Sequence, residues 1–159
     1  IPARVTEIEE VNIKAEVLKV ITRLKINNCP THSEVKLNNK GVIIIEIACR
    51  LGGDYITSDL VPLATGVDML ENLIKLSLGN DIDVKAKFNK VAAIQFLNES
   101  NYFNGKKFID TKSNKIILSE IKNFHNDEIT SSFERMGYII LNTGSIEEMN
   151  DLINELNEK

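Results

Sequence analysis

Thr31-His32-Ser33-Glu34-Val35-Lys36-Leu37-Asn38-Asn39-Lys40-Gly41-Val42-Ile43-Ile44-Ile45-Glu46-Ile47-Ala48-Cys49-Arg50 is the stretch on which the reading of this chain turns. Asn39-Lys40-Gly41 predicts a three-residue hairpin loop, with Gly41 in the left-handed position such loops favour. Closing the loop there pairs Asn38 with Val42, Lys36 with Ile44, Glu34 with Glu46 and His32 with Ala48. Cross-strand partners on one face sit about 5 Å apart between Cβ atoms. Two bare carboxylates at that distance repel by about 3 kcal/mol at an effective dielectric of ~20. A cation between them relieves the repulsion. A hard divalent ion such as Mg²⁺, bound by one or two carboxylates plus substrate phosphates, suits the place.

Another reading of the same residues stays open. Glu34 and Lys36 also fit the wet face of an ordinary antiparallel hairpin. Glu46 is harder to place that way, because it interrupts the apolar run Val42 to Ala48. Such a run suggests burial on both faces, where a carboxylate needs a partner. A change of one residue in the loop would put the two glutamates on opposite faces.

His32-Ser33-Glu34-Val35-Lys36, followed by Ile45-Glu46-Ile47-Ala48-Cys49-Arg50-Leu51-Gly52-Gly53-Asp54, resembles the C-terminal lobe of ATP-grasp ligases. The L-amino-acid ligases and carbamoyl-phosphate-synthase-like proteins are the members it looks most like. The resemblance extends through Leu60-Val61-Pro62-Leu63-Ala64-Thr65-Gly66-Val67-Asp68 and returns weakly at Ser131 to Tyr138. It implies that Glu34 and Glu46 are metal ligands, holding Mg²⁺ (or Mn²⁺) against the phosphates of ATP. It implies that Arg50, of the Glu-x-x-x-Arg element, is the catalytic contact to the transferring phosphoryl group. Ala48 stands where many members carry Asn as a third metal ligand, which leaves a second metal's coordination open. Lys36 ranks below Arg50 as a phosphate contact, since an ammonium lacks the guanidinium fork. His32 shares the strand face of Glu34 and could orient substrate or support a metal-binding carboxylate. Gly52 and Gly53, in the loop after the strand, join it as candidate substrate contacts.

The resemblance implies an α+β fold: an antiparallel sheet with packed helices over residues 1–83, and a small C-terminal α+β subdomain over residues 84–159. It also implies an ATP-dependent carboxylate–amine ligase acting on small-molecule substrates through an acyl phosphate. An inactive nucleotide-binding module and a structural α+β interaction domain are the alternatives. The chain opens Ile1-Pro2-Ala3-Arg4 and lacks the lobe with a Gly-rich loop and ATP-contacting lysines. It is therefore expected to be a fragment, inactive without the N-terminal lobes of the same polypeptide. Gly52-Gly53 is not followed by Lys, so no phosphate loop replaces that lobe.

Composition permits this reading without selecting it. The 159 residues are 43% hydrophobic and 26% charged, with a net charge of −4. That balance gives no electrostatic footprint for nucleic acid or an anionic membrane. No apolar run approaches the roughly 20 residues of a membrane span. Cys29 and Cys49 are too few for a disulfide framework or a zinc site, and Cys49 reads as a small core residue. The cytosol is the expected compartment; a homodimer stays open.

Elsewhere the pattern is local. Thr6-Glu7-Ile8-Glu9 is a capping box opening a helix whose stripe Ile8, Val11, Ala15, Leu18, Ile21 and Leu24 is expected to pack into a core. Ser58-Asp59 predicts the cap of a short helix ended by Gly66, and Asp68 the cap of a longer one stopping at Gly79. Residues 79–83 mark an expected subdomain boundary. Strands are expected at Val91–Leu97, Lys106–Asp110, Lys115–Ile121 and Tyr138–Asn142. Ser145-Ile146-Glu147-Glu148 predicts a second capping box, opening a last helix with Ile146, Met149, Leu152, Ile153 and Leu156 inward. His125 reads as a solvated loop residue and Arg135 as a turn-fixing cation.

Overall fold

The computed structural model describes residues 1–125 and 129–157. Helix α1 (Glu7–Arg23) leads into the hairpin β1 (His32–Asn38) and β2 (Gly41–Ala48), followed by α2 (Val61–Thr65) and α3 (Met69–Ser77). Then come β3 (Val91–Phe96), α4 (Tyr102–Thr111), β4 (Ile116–Ile121), β5 (Gly137–Thr143) and α5 (Ile146–Asn157). The described residues form an α+β fold with a two-stranded sheet, β1-β2, and a three-stranded antiparallel sheet in the order β3-β5-β4.

The chain divides into two compact units that interleave in sequence. One joins Ala3–Ser58 with Val67–Lys85; the other joins Asp59–Gly66 with Ala86–Lys159 and the first two residues. The last of the four changes of unit falls between residues 85 and 86. Asn72 holds the segment that precedes it. Its buried side-chain amide donates to the Asp83 carbonyl at 2.9 Å, and its oxygen accepts from the Asp83 N–H at 2.7 Å, tying that segment to α3.

In the unit holding the hairpin, the capping box forms as the sequence predicts. Thr6 accepts from the Glu9 N–H, and Glu9 accepts from the Thr6 N–H at 2.7 Å. That hydrogen bond, together with one from the Thr6 hydroxyl, holds the Glu9 carboxyl below its ordinary range. The apolar stripe behaves differently. No residue of α1 is buried, and Ile8, Val11, Leu18 and Leu24 are more than 60% exposed. The expected core packing of that stripe is therefore corrected: a two-stranded sheet and a short helix offer too little surface to cover it. Asp68 caps α3, accepting from the Glu71 N–H at 2.8 Å. Asp59 is not a cap. The helical path begins earlier, at Ile56, as a wide turn through Leu60 that runs directly into α2.

The second unit owns the closed core. Leu97, Tyr102, Phe108, Met136, Ile139, Leu141, Met149, Leu152 and Leu156 pack together between the three-stranded sheet and helices α4 and α5. Residues Lys106–Asp110, expected as a strand, lie in α4. Tyr102, Gly105 and Phe108 fall on the buried face of that helix at spacing three, which a strand could not present on one side. Met149, Leu152 and Leu156 of α5 face the core as expected, Ile153 packs at its edge, and Ile146 stays exposed. Ser145 accepts from the Glu148 N–H, but Glu148 does not complete a box; it takes the Lys115 ammonium at 2.6 Å. Around the expected turn, the Arg135 guanidinium lies 3.7 Å from the Phe96 ring centroid, a cation–π contact. His125, expected to be solvated, is half-buried, its Nε2 lying 3.0 Å from the Glu134 carbonyl oxygen.

Candidate functional site

The hairpin positions the candidate residues by two register events that offset each other. Its turn has two residues, Asn39-Lys40, with Asn38 paired to Gly41. The expected three-residue loop, with Asn38 opposite Val42 and Lys36 opposite Ile44, is corrected: Lys36 pairs with Ile43. Gly41, at φ +113°, carries the chain out of the turn in a conformation other residues resist. Kept unbroken, this shorter register would set Glu34 against Ile45. A bulge intervenes, so that Val35 pairs with Ile44 and Glu34 with Glu46, leaving Ile45 without a partner. From Gly41 to Ile45, exposed and half-buried residues alternate; then Ile45 and Glu46 are exposed in succession. The bulge therefore turns Glu46 onto the open face that Glu34 occupies. Apolar burial on both faces, expected for the run Val42 to Ala48, does not occur: Ile43 and Ile45 are exposed.

On that face each carboxylate leans toward a basic side chain of its own. Glu34 Oε1 lies 3.6 Å from His32 Nε2, and Glu46 Oε1 lies 3.5 Å from Arg50 Nη2. Both glutamate side chains and that of Arg50 are more than half exposed, so neither pairing is worth more than a fraction of a kcal/mol (~0–1). Arg50 also donates to its neighbour's carbonyl, Leu51 O, at 3.1 Å. The guanidinium is thus held loosely and remains available to an anion. His32 is the most enclosed of these side chains. Gly52 lies against it: a Cβ on Gly52 would come within 2.9 Å of His32 Nδ1 and 3.2 Å of Thr57 Oγ1. Gly53 has open space around it.

The structure so brings His32, Glu34, Glu46, Arg50 and Gly52 to one end of the hairpin. Lys36 lies two residues farther along β1, toward the turn, exposed like Glu34. Among the described residues no cluster of three or more His, Cys, Asp or Glu side chains could hold a metal. The donor set is two opposed carboxylates, which fits a hard cation that takes its other ligands from phosphate and water.

Two features went unread in the sequence. Cys49, expected in a core, is exposed, and its thiol is near enough to that of Cys29 to act on its ionisation. That proximity and partial desolvation raise the Cys29 thiol above its ordinary value, desolvation being the larger cause. Cys29 also lines a cleft of about 160 Å³ with Pro30, Met69, Leu73, Leu76 and Ile82. Nothing in the spacing of the two cysteines signals that they meet.

No protein-family model matches this sequence, and a search of curated proteins finds no sequence match. Solved structures do match. A phosphoribosylglycinamide synthetase from Anaerococcus prevotii superimposes with a TM-score of 0.72 at 22% identity, over 98% of this chain and 42% of its own. An L-amino acid ligase from Bacillus licheniformis gives a TM-score of 0.76 at 18% identity, over 99% of this chain and 41% of its own. An ADP complex of an N5-carboxyaminoimidazole ribonucleotide synthetase gives 0.64 at 17% identity, over 98% and 39%. The chain spans about two fifths of the length of each. Over nearly its whole length, then, this chain shares the fold of a part of these ligases and synthetases, in keeping with the resemblance to the C-terminal lobe of ATP-grasp ligases.

Proposed function

We propose that this chain is the Mg·ATP-binding C-terminal portion of an ATP-dependent carboxylate–amine ligase that works through an acyl phosphate. The observation that carries the reading is the opposition of Glu34 and Glu46 on an open sheet face, beside Arg50, within an ATP-grasp ligase fold. In this reading residues 1–83 belong to the ATP-grasp lobe and residues 84–159 form an accessory α+β subdomain. The remainder of the polypeptide supplies the other wall of the nucleotide site, and the cytosol is the compartment.

Glu34 and Glu46 would hold Mg²⁺, or Mn²⁺ in its place, which when bound neutralises phosphate charge during transfer. Every other part is played by the chain itself. The two carboxylates are exposed and stand on residues paired across the hairpin, where a cation would meet both. Arg50 swings from Glu46 to the transferring phosphoryl group, where its planar fork matches a tetrahedral anion. It stabilises charge as a carboxylate substrate displaces ADP, and again as an amine displaces phosphate from the acyl phosphate. Lys36 adds a point charge toward the phosphates. His32, backed by Gly52, and the open Gly53 face the substrate side. Positioning and charge neutralisation do nearly all the work in such transfers.

ATP consumption by the full-length polypeptide, screened against carboxylate and amine pairs, tests this. ADP and phosphate released only when both substrates are present is the expected result. Calorimetry of the 159-residue chain with Mg·ATP should show weak binding or none. Absence of any ATP-dependent ligation by the full polypeptide would favour a nucleotide-binding module without catalysis, for which Ala48, a residue with no metal-binding group, is the specific support.

A further inference from the structure

We propose that Cys29 and Cys49 are a reversible dithiol/disulfide pair that ties down the loop carrying Arg50. Cys29 lies three residues before His32, and Cys49 directly follows Ala48. His32 and Ala48 are paired across the hairpin, so the two cysteines are brought to the same open end of it. The Cys49 thiol is near enough to act on the ionisation of the Cys29 thiol, which agrees with that register. Both cysteines lie outside the strands, in segments that can adjust without breaking the ladder. Disulfide formation needs Cβ atoms about 3.5–4.5 Å apart, a separation that two short segments leaving the same end of a hairpin can reach. Cys49 is exposed to solvent while Cys29 is half-buried, which separates an attacking thiol from a resolving one.

The chemistry balances with a small disulfide as oxidant. The Cys49 thiolate attacks one sulfur of glutathione disulfide, and a glutathione thiolate leaves. The Cys29 thiolate then attacks the Cys49 sulfur of the mixed disulfide, forming the Cys29–Cys49 bond and expelling the second glutathione. Two protein thiols lose two protons and two electrons, and one glutathione disulfide becomes two glutathiones. In a reducing compartment such a bond is transient, as suits a switch rather than a staple.

Its consequence for structure is local. Arg50 follows Cys49 directly and leans on Glu46 through one loose contact. A covalent link at residue 49 removes freedom from the Arg50–Gly53 loop. Any effect on ligase turnover rests on the function proposed above; the bond and the restraint do not.

Incubating the reduced chain in glutathione buffers of graded ratio, with alkylation and mass spectrometry at each step, tests the bond. The expected endpoint is a fall from two alkylatable thiols to none, with a peptide linked between residues 29 and 49 within one chain. Cys29→Ser and Cys49→Ser should each end instead as a glutathione adduct or a free thiol. A wild-type endpoint of glutathione adducts or linked dimers overturns the proposal. Amide hydrogen exchange tests the restraint: oxidation should slow exchange at residues 50–53 by about tenfold. Formation of the bond with unchanged exchange there would refute the tie to Arg50.

Discussion

Glu34 lies directly opposite Glu46 across β1 and β2, and the extrusion of Ile45 is what sets them there. The two-residue turn, carried along an unbroken ladder, would place Glu34 against the isoleucine. The bulge adds one residue to β2 beside the candidate pair Glu34 and Glu46. It also raises the local twist, as bulges do, and so re-aims the strand end that leads to Arg50. The candidate site thus depends on one extra residue in one strand.

Deleting Ile45 should remove the bulge and keep every cross-strand pair, because the two-residue turn then sets Glu34 against Glu46 unaided. The lost side chain is 60% exposed, so little packing goes with it. Unfolding free energy is expected to change by less than about 1 kcal/mol. Cross-strand Hα contacts in NMR spectra between residues 34 and 46 check the register. Loss of that contact would show that the bulge, not the turn, is the primary determinant.

Glu46→Gln in the full-length enzyme removes the charge a hard cation needs while keeping size and hydrogen bonding. It should abolish turnover and weaken the Mg²⁺ dependence, with the fold intact or slightly more stable, since a like-charge opposition is relieved. Arg50→Lys should leave the Mg²⁺ dependence nearly unchanged and lower kcat by about tenfold or more, because an ammonium loses the fork contact. Steady-state kinetics at varied Mg²⁺ decides both. Wild-type turnover in Glu46→Gln would remove Glu46 from the metal site.

Gly137→Ala should unfold the second unit or cost it roughly 3 kcal/mol or more. Gly137 opens β5, the central strand, at φ +137°, and an added Cβ would stand 2.1 Å from the Glu120 carbonyl oxygen. The neighbour is backbone of the adjacent strand and cannot swing aside. Urea denaturation of the variant is the measurement, and a midpoint equal to wild type would contradict the strand pairing described.

Lys115→Met should destabilise the chain at neutral pH and lose that effect in acid. The Lys115 ammonium, by direct hydrogen bond, holds the Glu148 carboxyl below its ordinary value of 4.5, with a lesser contribution from the Gly144 N–H. A depressed folded-state pKa contributes stability that is present above the unfolded value and lost as pH falls through the folded one. The gap between variant and wild type should therefore be steady above pH ~5 and close below pH ~4, the window set by a carboxyl titrating under its unfolded pKa. Both side chains are more than a third exposed, so the gap is small and should shrink with added salt. Thermal melts at three pH values, with and without salt, resolve it.

Much of the local structure was legible along the chain because it is decided within a turn or two. The Thr6/Glu9 box, the Asp68 cap and the inward Met149, Leu152 and Leu156 follow from hydrogen-bonding groups and apolar periodicity a few residues apart. The pairing of Glu34 with Glu46 was legible too, though through a three-residue loop that does not form. Turn length and bulge trade off one residue against another, and the continuous apolar run from Val42 to Ile45 cannot say where the extra residue goes. Residues 106–110 went unread as helix because their composition is ambiguous over five positions. What selects the helix is that Tyr102, Gly105 and Phe108, each three apart, must all face the core side, which a strand could not arrange.

Sequence by itself thus determined the Thr6 and Asp68 caps, the inward face of α5 and the residue types of the candidate site, since these depend on neighbours in the chain. Tertiary structure alone decided that α1's apolar stripe is open, that Ile45 is extruded, and that Cys29 meets Cys49 twenty positions away. Those outcomes depend on which surfaces are present to be covered and on how a ladder closes over its whole length. Local propensity carries no information about either.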